Sequence, residues 1–134
     1  MVRLATLGRG LFLVTVLPAT LWATPYDGVY KQAANAECAL VGVDGGAIEV
    51  RDGIFYGVEA ECRMTRPVDV LEMDATLYTM QCSGEDQVWT ERAMLMKPAA
   101  DPETGEKSGL IMIWDGFAFV YEGCSEAADE EIAD

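Results

Sequence analysis

The sequence contains no histidine. Histidine supplies the general base of Ser-His-Asp and Cys-His catalysis, the usual proton shuttle near neutral pH and many zinc ligands, so its absence excludes those mechanisms and motifs. The chain also has neither of the glycine-rich loops that bind phosphate, G-x-x-x-x-G-K-[ST] and G-x-G-x-x-G. The best-known enzyme sites are therefore missing.

Basic residues are scarce. The chain has nine lysines and arginines against 23 aspartates and glutamates, a net charge of −14. Binding to nucleic acid or to an anionic membrane depends on basic groups, so the sequence predicts neither. An acidic surface would attract a basic protein or a cation. The same charge also serves simply to keep an exported protein soluble.

Long hydrophobic runs are missing as well, except for a short one near the N-terminus. Residues 1–23 combine the basic Arg3 and Arg9, an apolar stretch over residues 10–17, and small residues up to Ala23. This pattern predicts a signal peptide cleaved after Ala23, or alternatively after Ala19, and a periplasmic or secreted protein. The alternative is an uncleaved amphipathic or membrane-buried segment. After cleavage we expect no membrane insertion.

Closely spaced cysteine pairs are also absent. The four cysteines, Cys38, Cys62, Cys82 and Cys124, are at least 20 positions apart, whereas zinc sites usually contain pairs such as C-x-x-C. An even count in a small exported protein predicts two disulfides, no metal and no free thiolate. Residues 24–124 have the length of one domain, and the acidic residues 125–134 are typical of a disordered tail.

The most regular pattern follows the hairpin signal Asp52-Gly53. Apolar and polar residues alternate from Ile54 to Thr65, which predicts one long strand with one buried and one exposed face. The predicted buried face carries Ile54, Tyr56, Val58, Ala60, Cys62 and Met64. Glu59 and Glu61 belong to the exposed face. Pro67 should end or bend this strand because proline cannot donate to a central ladder.

The next strand, residues 75–82, ends at a second cysteine. If the chain reverses about Glu72, Cys62 and Cys82 lie directly opposite each other on antiparallel strands, at a side-chain distance of ~5 Å. This register favours a Cys62–Cys82 disulfide and leaves Cys38 to pair with Cys124. The shorter bridge should stabilise the fold by ~3 kcal/mol and the longer one by more.

About seven short strands with closely spaced turns predict an all-β fold. The expected architecture is an antiparallel meander closed as a small, lipocalin-like β-barrel, with a β-sandwich as the alternative.

Residues 33–40 are rich in alanine and predict one or two helical turns. The hairpin at Asp115-Gly116 is apolar on both faces, so we expect it to be central or covered.

Carboxylates are the remaining candidates for chemistry. Glu59 and Glu61 would share the exposed face of the long strand, where paired acids can divide acid and base roles, although solvated surface residues are the commoner case. The turn at Ser83, Gly84, Glu85 and Asp86 is a candidate binding loop. The acidic loop over residues 101–106 hints at a cation site but lacks the order of a calcium loop, and a flexible connection is the simpler interpretation.

Aromatic residues are numerous enough to line a cavity, although side chains normally fill so small a barrel. The candidates are Phe55, Tyr56, Trp89, Trp114, Phe117, Phe119 and Tyr121.

Several short motifs carry a family resemblance. They are the segment 27–30 (D-G-V-Y), Cys38, the stretch from Tyr56 to Cys62, the segment 82–85 (C-S-G-E) and the stretch from Tyr121 to Cys124. The layout resembles a set of small, uncharacterised exported four-cysteine β-domain proteins of Gram-negative bacteria, which implies a fold and a compartment but no activity. Ser83-Gly84 is also similar to the start of the S-G-x-x-Y loop of periplasmic C-type lysozyme inhibitors, with Gln87 in place of the tyrosine.

Three functions are compatible with these observations. The leading hypothesis is a non-enzymatic binding domain of the cell envelope, with a basic periplasmic protein as its partner. The alternative is a carrier of a small ligand or cation in an aromatic cavity or acidic loop, without a resident cofactor. A carboxylate-based hydrolase ranks last.

Overall fold

A computed structural model describes Leu13, Thr15 and residues 23–125. The predicted signal peptide and acidic tail therefore lie almost entirely outside the described residues. The described residues form nine strands: β1 Gly28–Lys31, β2 Glu37–Val41, β3 Gly46–Arg51, β4 Ile54–Gly57, β5 Ala60–Asp69, β6 Ala75–Gly84, β7 Gln87–Met96, β8 Leu110–Trp114 and β9 Phe117–Gly123. Within the described part of the chain there is no helix that could cross a membrane.

Eight of the strands form a closed antiparallel barrel. From β3 to β9 each strand pairs with the next, and β1 closes the ring by pairing with both β9 and β3. The remaining strand, β2, lies parallel to β3. The predicted all-β meander closed as a barrel is confirmed.

Both predicted disulfides are present. Cys62 and Cys82 are register partners on β5 and β6, with their Cα atoms 4.0 Å apart. Cys38 on β2 is bonded to Cys124, which directly follows β9, across a Cα distance of 6.0 Å. The predicted reversal about Glu72 therefore has the correct register near the cysteines. Beyond them, β5 bends between Thr65 and Val68, where its pairing with β6 shifts, as Pro67 predicts.

The predicted single strand from Ile54 to Thr65 is wrong, because the chain turns at Val58-Glu59. Gly57 pairs with Ala60, so β4 and β5 form a hairpin of their own. Glu59 adopts a φ of 51°, which a non-glycine residue rarely does. The sequence does not predict this turn because the position with positive φ is not a glycine. The two-residue turn also inverts which positions face inward: on β4 Phe55 is buried and Tyr56 is not, whereas on β5 Cys62 and Met64 are buried.

Two further expectations are wrong. The alanine-rich residues 33–40 do not form a helix: the chain turns there and then enters β2, which pairs with β3 and carries the Cys38 disulfide. The β8–β9 hairpin is not covered on its outer face, where Val120 is 76% exposed. By contrast, the predicted hairpin at Asp52-Gly53 is confirmed, with φ angles of 53° and 76°.

The end of the barrel near the start of β1 is closed by a polar network of tyrosines. The Tyr26 hydroxyl lies 2.9 Å from the Thr76 hydroxyl, and the Tyr30 hydroxyl donates to the Tyr26 carbonyl. The Lys97 ammonium donates to the Tyr30 hydroxyl at 3.0 Å and lies over the Tyr30 ring. Burial raises the pKa of Tyr30, with a further contribution from Asp27, to about 12, and burial raises that of Tyr78 to about 12 as well.

Removing either disulfide should destabilise the barrel, and the loss should be larger for the bridge that closes the longer loop. The bridges span 86 and 20 positions, so chain entropy predicts losses of about 4.6 kcal/mol for Cys38→Ala/Cys124→Ala and about 3 kcal/mol for Cys62→Ala/Cys82→Ala. Urea denaturation of the two double variants measures both losses. A Cys38→Ala/Cys124→Ala variant as stable as the wild type would contradict the prediction.

Alkaline pH should destabilise the tyrosine-closed end. An acid whose pKa is raised in the folded state stabilises the fold fully below its unfolded pKa, and that stabilisation is lost as the pH rises toward the folded pKa. For Tyr30 and Tyr78 the window runs from pH 10 to about pH 12. We expect the free energy of unfolding to fall across this window, and less steeply in Tyr78→Phe. Tyrosinate absorbance would contradict this if all tyrosines of the folded protein ionised near pH 10.

Candidate functional site

The opposite end of the barrel contains an open recess of about 310 Å³. Five aromatic side chains line it: Phe55, Trp89, Trp114, Phe119 and Tyr121. They come from β4, β7, β8 and β9, so strands from both halves of the chain build one wall. Cys62 of the Cys62–Cys82 disulfide, which joins β5 and β6, also borders the recess.

The recess exists because the strands around it differ in length and do not end at the same level of the barrel. Ala93 of β7 pairs with Trp114, the last residue of β8, so residues 87–92 of β7 extend beyond the β8–β9 hairpin. On the other side, β9 meets β1 only through Gly123 and Glu122. Residues 117–121 therefore have β8 as their only partner strand among the described residues. At this end of the barrel, neighbouring strands do not cover one another along their full length, so aromatic rings on the inner face stay accessible.

Four of the aromatic rings that line the recess form two pairs. Phe55 and Trp114 lie 5.8 Å apart between ring centroids, tilted by 58°. Phe119 and Tyr121, alternate residues on the same face of β9, stack nearly parallel at 5.8 Å. Such offset or tilted pairs hold each other in place, so the wall is largely formed before any ligand arrives.

Among the described residues that line the recess, Glu91 is the one that carries a charge. It lies between Trp89 and Ala93 on β7, and alternate residues of a strand share a face, so its side chain belongs to the inner set. Gln32 adds an uncharged polar group, and burial raises the pKa of the Tyr121 hydroxyl. The recess therefore combines an apolar aromatic wall with a single carboxylate.

The structure brings together most of the predicted site residues beside this recess. Glu61 pairs with Ser83, and together with Glu59 and Gly84 they border a second depression of about 340 Å³. A third, of about 350 Å³, is bordered by Glu59, Gly84 and Glu85 and shares Trp89 with the recess. Asp86 lies in the β6–β7 turn and borders none of the three. Glu59 is not on the exposed strand face predicted for it, because it occupies the β4–β5 turn.

The acidic loop over residues 101–106 is organised by its own hydrogen bonds. The Asp101 carboxylate accepts from the backbone N–H groups of Glu103 and Thr104 at 2.8 and 3.0 Å, and these bonds lower its pKa. In the described part of the chain no three acidic or cysteine side chains are grouped as metal ligands. The cation site suggested by this loop stays a prediction.

The two polar side chains of the lining, those of Glu91 and Gln32, are not among the sequence candidates. The alternation Trp89-x-Glu91-x-Ala93 contains the signal, since it places an acid among inward positions. Of the seven predicted aromatic candidates, five line the recess. Tyr56 instead faces outward under the Arg51 guanidinium, and Phe117 is 67% exposed at the hairpin tip.

Comparisons with protein-family models, curated proteins and solved structures give no match to this chain.

Gly84 should be required for the contact between the two hairpins beside the recess. A Cβ atom there would lie 2.4 Å from the Glu59 carbonyl oxygen, so the backbones would have to separate. We expect Gly84→Ala to lower the free energy of unfolding by about 2 kcal/mol, and the exposed neighbour Ser83→Ala to change it by less than about 0.5 kcal/mol. Urea denaturation compares the two. Equal effects would contradict the predicted contact.

Proposed function

We propose that this protein is an exported, non-enzymatic binding domain that holds a small organic ligand in the aromatic recess at the open end of the barrel. The observation that carries the proposal is the recess itself. Its volume of about 310 Å³ falls at the lower end of the range of small-molecule sites, and five aromatic side chains line it.

Energetics favour an occupant. Aromatic rings left facing water forgo the free energy of burial, which is roughly 25 cal/mol for each Å² removed from water. Phe119 on the inner face of β9 is 42% exposed, and three more of the lining rings, those of Trp89, Trp114 and Tyr121, are only partly buried against the core. A ligand that covers these rings would recover that burial without any rearrangement of the wall.

Binding is favoured over chemistry by the composition of the lining. General acid–base catalysis by carboxylates needs two groups with different environments. Glu91 is a single acid among the lining residues, and Glu59 and Glu61 border a separate depression. A carboxylate-based hydrolase therefore finds little support here.

The proposed compartment rests on two observations. The N-terminal sequence has the pattern of a signal peptide. Both disulfides of the barrel would persist in an oxidising environment such as the periplasm or the extracellular space.

A second candidate function is binding to a basic protein partner. In the part of the chain that the structure describes, four carboxylates, those of Glu59, Glu61, Glu85 and Glu91, border the recess and the two adjoining depressions, and no lysine or arginine does. A pull-down from periplasmic extract at low and high salt tests this candidate. Absence of any salt-sensitive partner would count against it.

Binding to the recess can be measured with N-phenyl-1-naphthylamine, an uncharged aromatic probe whose fluorescence rises in apolar sites. We expect the wild type to bind it and Trp89→Ala or Trp114→Ala to bind roughly tenfold more weakly, since each loses one large apolar contact. Val88→Ala is the matched control, because Val88 is next to Trp89 but 85% exposed and outside the recess. No binding by the wild type, or unchanged binding by both tryptophan variants, would overturn the proposal.

A further inference from the structure

We infer that the recess selects an organic cation, a small molecule whose substituted ammonium group lies against Trp89 and Trp114 beside Glu91. The inference rests on the proposed function and adds the chemical class of the ligand.

The register of β7 and β8 places the three residues together. Trp89 and Glu91 are alternate residues on the inner face of β7. The next inner residue, Ala93, pairs directly with Trp114 of β8, so Glu91 and Trp114 are diagonal neighbours across the two strands. Diagonal neighbours are ~7–8 Å apart at their Cα atoms, within reach of a tryptophan side chain. In this register the Glu91 side chain therefore belongs to the same face of the sheet as both indole rings.

This combination is the chemistry that recognises an organic cation. The face of an aromatic ring is negative, tryptophan most strongly, so a cation within about 6 Å of the ring centroid is attracted. A substituted ammonium group also has apolar substituents that cover ring surface. Glu91 supplies the counter-charge. An anionic ligand would be repelled by that carboxylate, and an uncharged one would leave it partly desolvated without compensation.

The surroundings of the recess strengthen this preference. The adjoining depressions are bordered by Glu59, Glu61 and Glu85, and among residues 23–125 no basic side chain borders the recess or either depression. Concave regions lined by charge of one sign focus the electric field and raise the local concentration of counter-ions. A cation is therefore drawn toward this end of the barrel before it meets the rings.

At the closed end of the same barrel, a cationic side chain of the protein itself contacts an aromatic ring. There the Lys97 ammonium lies 5.2 Å from the centroid of the Tyr30 ring and donates to the Tyr30 hydroxyl. At the recess, the lining includes rings and a carboxylate but no cationic side chain of the described chain. At the recess, a cationic ligand would therefore make the contact with aromatic rings that the Lys97 ammonium makes with Tyr30 at the closed end.

A metal ion fits the recess less well than an organic cation. Hard cations such as calcium take six to eight oxygen ligands, whereas the recess offers one carboxylate and the amide of Gln32 among aromatic carbons. A lysine side chain of another protein has the same ammonium chemistry, and the experiment separates that source from a free small molecule.

Three probes of the same shape test the sign of the charge: choline, its uncharged carbon analogue 3,3-dimethylbutan-1-ol, and the anion 3,3-dimethylbutanoate. Titrations followed by the indole N–H signals in NMR spectra give their affinities. We expect choline to bind at least about tenfold more tightly than the alcohol, and the anion most weakly. Glu91→Gln should lower the affinity for choline about tenfold, and it should not lower that for the alcohol, which pays to desolvate the carboxylate in the wild type. Glu122→Gln, on the outer face of β9, removes the same charge elsewhere and serves as the control.

The outcomes separate this inference from the proposed function. If N-phenyl-1-naphthylamine binds but choline has no advantage over the alcohol, the charge selectivity is overturned and the binding function stands. If no probe binds, both fail. If Nα-acetyl-lysine amide binds more tightly than choline, the cation belongs to a protein side chain and the small-molecule inference is overturned. Equal losses in Glu91→Gln and Glu122→Gln would also overturn it.

Discussion

The structure depends on a seam closed by a strand of only four residues. β1 pairs with β3 along its whole length and with β9 through two residue pairs, and without it the sheet from β3 to β9 would have two open edges. Tyr30 of β1 is buried and joins Tyr26 and Lys97 in one hydrogen-bonded network, which fixes the strand in the closed end. Because so short a strand cannot cover the length of β9, the same seam leaves the other end open. Closure and recess thus have a single cause.

The disulfides stabilise this arrangement where hydrogen bonds are few. Cys124 directly follows β9; its N–H donates to the Val29 carbonyl of β1 at 2.9 Å, and its sulfur is bonded to Cys38 on β2. One residue therefore joins three strands at the seam. A domain of this size buries a limited core, so a bridge that closes 86 positions contributes a large part of its stability. The second bridge holds β5 and β6 together beside the recess, where the wall lacks the support of a filled interior.

The sequence predicts the barrel well where local patterns agree with pairing, and fails where they conflict. Cys62 and Cys82 are predicted opposite each other because polar residues mark the reversal about Glu72. The turn at Val58-Glu59 has no comparable sequence signal, because its positive-φ residue is a glutamate. Since the sequence does not predict this turn, it assigns the wrong face of β4 to the interior. Alanine favours a helix near residue 35, but the disulfide and the pairing of β2 with β3 are stronger than that preference. Glu91 is missed because an acid on a strand normally faces water. Its alternation with Trp89 and Ala93 predicts the inner face, but the sequence does not show that β8 is shorter than β7, which is why Glu91 borders a recess.

An accessible aromatic wall and unpaired strand edges would normally promote association. Residues 117–121 of β9 present an edge without a partner on the β1 side, and Phe117 and Val120 are largely exposed. Such edges are templates for pairing with another chain unless charge or geometry prevents it. The chain carries 23 acidic residues against nine basic ones, and Glu85, Glu91, Asp115 and Glu122 lie on or next to these edges. Two copies approaching through this end would bring like charges together, whereas a cation would be attracted. The acidity that keeps copies apart and the recess that accepts a cationic ligand are therefore compatible features of one surface.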